Sequence, residues 1–103
     1  MSLPFLNKGK YRAFPIEGDS MPPHREGSFV IGEYMENKAD IKAGSTYVLL
    51  TKDEGIVYKR VHAFNKNIVF LSSDNKAYKT YGVKFTDVIE VWKFACSLLN
   101  KRV

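Results

Sequence analysis

Three runs rich in β-branched and aromatic residues stand close together in the middle of the chain: Tyr47 to Lys52, Ile56 to Phe64 and Ile68 to Leu71. Only short polar stretches separate them, Lys52-Asp53-Glu54-Gly55 and Asn65-Lys66-Asn67. Loops of that length and composition join hairpin strands, so residues 47 to 71 are expected to form an antiparallel meander. Arg12 to Glu17, Ser28 to Tyr34 and Val88 to Phe94 read as further strands, bounded by Gly, Asn, Asp and Lys clusters. The tail from Phe94 to Leu99 fits a strand or a helix equally. Ser72-Ser73-Asp74-Asn75 reads as a turn followed by a looser stretch. With no internal repeat and little helical periodicity, the expected class is a mostly β, compact antiparallel domain.

With 103 residues, 45% of them hydrophobic and 14% aromatic, the chain is long enough for one modest core and too apolar for a disordered segment. Met1-Ser2-Leu3 reads as an arbitrary start, and residues 1–10 as an arm before a single domain at 11–103, so the chain is expected to begin inside a longer protein. No stretch approaches the roughly eighteen apolar residues of a membrane span, and Met1 to Lys10 lacks the apolar centre of a secretory signal. A cytoplasmic protein with no membrane partner is expected. The single Cys96 fits a reducing compartment. The net charge of +5 is spread along the chain rather than clustered, which reads as a solvated basic surface. Zinc-finger spacing, an aromatic RNA-binding signature and an obvious recognition helix are all missing, so this segment is not expected to contact DNA directly.

Chemistry concentrates in two places, Gly18-Asp19-Ser20-Met21 and Tyr58-Lys59-Arg60-Val61. The Pro22-Pro23 pair excludes a regular strand after Met21 and puts Ser20 on a turn or short helical start. A serine hydroxyl becomes a useful nucleophile only when a neighbour takes its proton, and a lysine can do so only when neutral. Along the strand, Val57, Lys59, Val61 and Ala63 share one face, while Ile56, Tyr58, Arg60 and His62 share the other. Lys59 thus lies on the more apolar face, where burial disfavours its ammonium form. Arg60 cannot substitute, because a guanidinium stays protonated. The backbone N–H groups of Ser20 and Met21 are candidate oxyanion donors. Each residue alone has a bland alternative: a turn serine bonded to backbone, and an edge lysine whose stem covers apolar surface. Glu17 and Asp19 read as solvated carboxylates. His24 and His62 lack partners at metal-ligand spacing, so neither a metal nor another cofactor is expected. Trp92, Phe94, Leu98 and Leu99 read as packing residues, with edge pairing of this terminal strand as a possible dimer seam.

These motifs, with Gly27-Ser28-Phe29-Val30, Asp40-Ile41-Lys42-Ala43-Gly44 and Leu71-Ser72-Ser73-Asp74-Asn75 in that order, resemble the LexA-like self-cleaving repressor family. The closer resemblance is to the C-terminal peptidase-like domain of a phage-repressor or LexA-type regulator, over roughly Tyr11 to Lys93. It implies a signal-peptidase-like β fold in which Ser20 is nucleophile and Lys59 base, and the cut bond lies in the protein's own interdomain linker. It also implies a homodimer formed through this domain, an N-terminal helix-turn-helix outside this chain that binds DNA, and a RecA filament on single-stranded DNA as trigger of an SOS-type response. Two features depart from the family pattern. The usual Ala-Gly or Cys-Gly scissile pair does not occur before Ser20, which leaves a cleaved product, cleavage in trans, or a domain kept for dimerisation. Ser28 stands where aspartate is usual, a difference expected to matter to a turn. A signal peptidase shares the Ser-Met and Lys-Arg motifs but would need a membrane anchor.

Overall fold

The computed structural model describes residues 9–98. Residues 1–8, most of the expected arm, and Leu99 lie outside the described residues. Seven strands form one antiparallel sheet: β1 (Tyr11–Pro15), β2 (Phe29–Tyr34), β3 (Thr46–Thr51), β4 (Gly55–Phe64), β5 (Ile68–Ser72), β6 (Tyr81–Lys84) and β7 (Val88–Leu98). Their spatial order is β1-β2-β7-β3-β4-β5-β6. The only helical pieces among the described residues are two 3-10 turns, Lys38–Asp40 and Phe85–Asp87.

The meander expected over residues 47 to 71 is present as β3, β4 and β5. β6, which lies in the stretch read as loose, extends it. The undecided tail of residues 94–98 is strand, and β7 enters between β2 and β3. Trp92 and Lys93 therefore have strand partners on both sides, and the last strand is an interior one over that part. Beyond Lys93, β7 pairs with β2 alone.

β3 organises the packing, because its successive side chains point to opposite faces and both faces are covered. Tyr47 and Leu49 join Ile41, Val61, Val69, Leu71, Val88 and Val91 in one cluster. Val48 points the other way and joins Phe14, Ile16 and Val30 in a second. Each fully buried Val or Leu contributes about 1.5–3 kcal/mol relative to exposure, so the two clusters dominate the favourable side of folding. The polar end of Tyr47 is satisfied, since its hydroxyl accepts the Lys42 N–H at 2.8 Å.

Trp92 packs against the second cluster, where its ring meets Phe14 edge-on with centroids 5.3 Å apart, and it also meets Tyr34 edge-on at 5.2 Å. Gly32 lets Trp92 come this close: a Cβ there would stand 2.7 Å from Trp92 Cβ and 3.3 Å from Phe14 Cε2. Gly32→Ala is expected to cost about 1–3 kcal/mol through overpacking. A fall in Tm of several degrees should report it in thermal denaturation, together with a perturbed Trp92 fluorescence maximum.

Candidate active site

Ser20 lies in the loop that joins β1 to β2. Gly18, at φ 75°, turns the chain out of β1, and its N–H donates to Glu26 Oε1 at 3.2 Å. The Pro22-Pro23 bond is cis, and Met21 drops into the protein at 3% exposure. Met21 O accepts from His24 N at 2.9 Å and lies 3.1 Å from His24 Nδ1, a contact that requires the proton on Nδ1. The His24 ring stands edge-on to Tyr58 and Phe94, so this histidine packs and holds the loop. Ser28 is buried and closes the same loop through its backbone, with its carbonyl accepting from Ile16 and its N–H donating to Arg25 O.

Lys59 lies midway along β4, on the face of Val57 and Val61. That much agrees with the period-two reading. Ala63 does not follow it and is exposed, because a register shift between Val61 and Ala63 interrupts the alternation. Burial pulls the Lys59 pKa below its usual value, and the Glu54 carboxylate opposes that shift. The Lys59 ammonium donates to Ser73 Oγ at 2.8 Å, and Ser73 is itself buried. The lysine's hydrogen bond is thus to Ser73 rather than to Ser20.

Ser20, Met21 and Lys59 line one open cleft of about 710 Å³. Its walls include two unbroken runs, residues 14–17 and 54–59. Side chains on an extended chain alternate in direction, so consecutive residues can all border one cleft only where the backbone edge is turned toward it. Pairing explains why these edges are open. β1 has only β2 as neighbour, and β5 joins β4 only from Arg60 onward. Between these edges Val30, Val48 and Leu50 supply an apolar floor, and the charges come from Glu17, Glu54 and Lys59.

The segment between β5 and β6 closes the arrangement. Asn75 N–H donates to Ser20 O at 3.0 Å, Asn75 Nδ2 donates to Asp19 O at 3.1 Å, and Asp74 N–H lies 3.3 Å from Met21 Sδ. Asp19 is not merely solvated, because its carboxylate accepts the Tyr78 hydroxyl proton at 2.5 Å. Arg60 pins the segment to β4: its Nε and Nη2 hold both Asp74 oxygens at 2.8 and 2.7 Å, while Nη1 donates to Gly44 O. Sequence reasoning assigned no role to Ser73, Asp74, Asn75, Tyr78 or Glu54, although the Ser72-to-Asn75 motif marked the place. His62 is exposed on β4, away from these contacts.

Hydrogen bonding to Arg60 holds the Asp74 carboxyl below the usual aspartate range. A depressed carboxylate stabilises the fold above its unfolded pKa, and that contribution is lost as the pH falls through the folded value. The pair is partly exposed, so about 0.5–1 kcal/mol is expected even with bidentate geometry. Asp74→Asn should lower Tm at pH 7 by a few degrees. The difference from the unmodified chain should shrink below pH 3.8, the ordinary value of this carboxyl.

No curated protein gives a significant sequence match. The family model described as Peptidase S24-like matches residues 2–95. That match spans the cleft, both halves of the serine and lysine arrangement and nearly the whole sheet, in the order expected of a C-terminal domain of LexA or phage-repressor type. The chain belongs to the Peptidase S24-like family, a family of serine peptidases.

Proposed function

We propose that this domain is a self-cleaving serine peptidase of a LexA- or phage-repressor-type transcription regulator, cutting the linker to an N-terminal DNA-binding domain through Ser20 and Lys59. The observation that carries the reading is that one cleft is lined by both residues, with the lysine pKa lowered by burial. Neutral Lys59 takes the Ser20 proton as Oγ attacks the carbonyl carbon of the scissile bond. The N–H groups of Ser20 and Met21 are the donors assigned to the resulting oxyanion. Collapse expels the amine, which receives the proton from Lys59, and the acyl-serine is then hydrolysed by a water that Lys59 deprotonates. Ser73 fixes the lysine's rotamer. The open edges at residues 14–17 and 54–59 suit a peptide bound in extended form, its backbone pairing with either wall and small or apolar side chains facing Val30, Val48 and Leu50.

Binding of DNA by the rest of the protein, triggering by a RecA filament and a cytoplasmic location belong to the same proposal. No helix among the described residues is long and apolar enough to cross a membrane. The cleavage test uses the full-length protein at pH 7 and at alkaline pH, with fragments weighed by mass spectrometry. The unmodified protein should give one linker cut, Ser20→Ala none, and Lys59→Ala a rate about 10²–10⁴-fold lower. Because the neutral amine is the active form, the rate should rise with pH and level off below 10.5, the ordinary lysine value. An intact unmodified protein, even with RecA filament present, would remove the peptidase reading.

A second reading, in which the domain serves chiefly for dimerisation, is favoured by Phe29 and Leu98. These directly paired residues are 42% and 38% exposed at one end of β2 and β7. An apolar pair there suits burial against a second copy. Leu98→Lys should shift the sedimentation coefficient from dimer to monomer at micromolar concentration while leaving the circular dichroism spectrum unchanged. A dimer that persists would place the contact elsewhere.

A further inference from the structure

Tyr78 is 45% exposed, yet it makes two directed contacts with the two halves of the site. Its hydroxyl donates to Asp19 Oδ1, next to the nucleophile, and its ring centre lies 5.5 Å from Lys59 Nζ. The local chain holds it there: Asn75 Oδ1 accepts the Ala77 N–H, and the Tyr78 N–H donates to Asn75 O, closing a turn that lifts the ring over the lysine. Asn75 also holds the Asp19 and Ser20 carbonyls, so Tyr78 and the Ser20 turn are fixed to one residue.

We propose that Tyr78 is a positioning residue of this site, whose hydroxyl holds the Ser20 turn through Asp19 while its ring roofs the Lys59 amine. The role rests on the peptidase reading above and adds to it a means by which one side chain sets both partners. An aromatic face attracts an ammonium more strongly than a neutral amine, so the ring favours the charged lysine. Glu54 acts in the same direction from the β3–β4 loop, and burial acts against both.

The other groups around Lys59 leave this balance to those three. Tyr47 lies opposite it on β3 with its hydroxyl engaged by Lys42. Asp74 is held by Arg60, which with Tyr58 points to the other face of β4. Tyr81 on β6 is kept protonated by burial and by its Glu54 neighbour. Asp19 is bound to Tyr78 itself, which lifts the phenol above its usual range.

Two variants separate the two contacts. Tyr78→Leu keeps an apolar cover but removes the aromatic face, and should lower the Lys59 titration midpoint, followed by NMR of its side-chain amine in the 103-residue chain, by about half a pH unit. Tyr78→Phe keeps the face and should leave that midpoint in place. In the same variant the amides of Asp19, Ser20 and Met21 should exchange several-fold faster with deuterium. In the full-length protein, Tyr78→Leu should move the rise of cleavage rate to lower pH, whereas Tyr78→Phe should lower the rate about 5–10-fold without moving it. An unchanged Lys59 midpoint in Tyr78→Leu, or unchanged amide exchange in Tyr78→Phe, overturns the proposal. If the unmodified protein does not cleave, the peptidase reading fails, and the titration and exchange still decide whether Tyr78 holds the lysine and the turn.

Discussion

β3 is covered on both faces, and the rest of the sheet is arranged around that demand. Tyr47 and Leu49 require a cluster on one side, Val48 requires another, and no flat sheet with one solvated face can provide both. The strands on either side therefore carry residues into two separate cores: β7 sends Val91 to one and Trp92 to the other, and β4 sends Val61 to one and Tyr58 to the other. The cleft opens where these two packings diverge along β4. Val48 forms part of its floor, while Val57 and Lys59 belong to the opposite face of the strand.

The polar part of the site depends on a single piece of chain. Residues 73–78 carry the acceptor for Lys59, the hydrogen bonds to the Ser20 turn and the ring above the amine. The Arg60–Asp74 pair fixes this piece beside β4. Since Arg60 follows Lys59 directly, the strand that presents the lysine also anchors the segment that orients it. The electrostatics oppose one another by construction: burial favours the neutral amine, whereas Glu54 and the Tyr78 ring favour the charged one.

Most of the sheet was legible because its strands obey period-two patterning between turn-forming clusters. Lys59 was placed correctly for the same reason, sharing a face with Val57 and Val61. β6 was not, because Gly82 weakens its four-residue pattern. It forms because Ile68 and Phe70 of β5 cover the space beside that glycine, where a Cβ would stand 3.1 and 3.3 Å from them. Ser73 was missed through register. Phe64 pairs with Val69 and Ala63 with Phe70, and continued without interruption that register sets Asp74 opposite Lys59. The bulge at His62 shifts the count by one, so Arg60 pairs with Ser72 and the next position brings Ser73 to the lysine. Nothing in the residue pattern announces such a bulge, and the interior place of β7 depends likewise on long-range pairing.

An unpaired strand edge is as inviting to a stranger as to a substrate, and this cleft has two. Soluble proteins discourage unwanted strand addition with proline and with charges set along the edge. Here Pro15 closes β1 without an N–H to offer, and Glu17, Glu54 and Lys59 stand along the same walls. Charges in those positions are of the kind that guards an open edge against aggregation. Replacing them with apolar residues would leave two bare edges free to pair with any extended chain, the seed of edge-to-edge polymers.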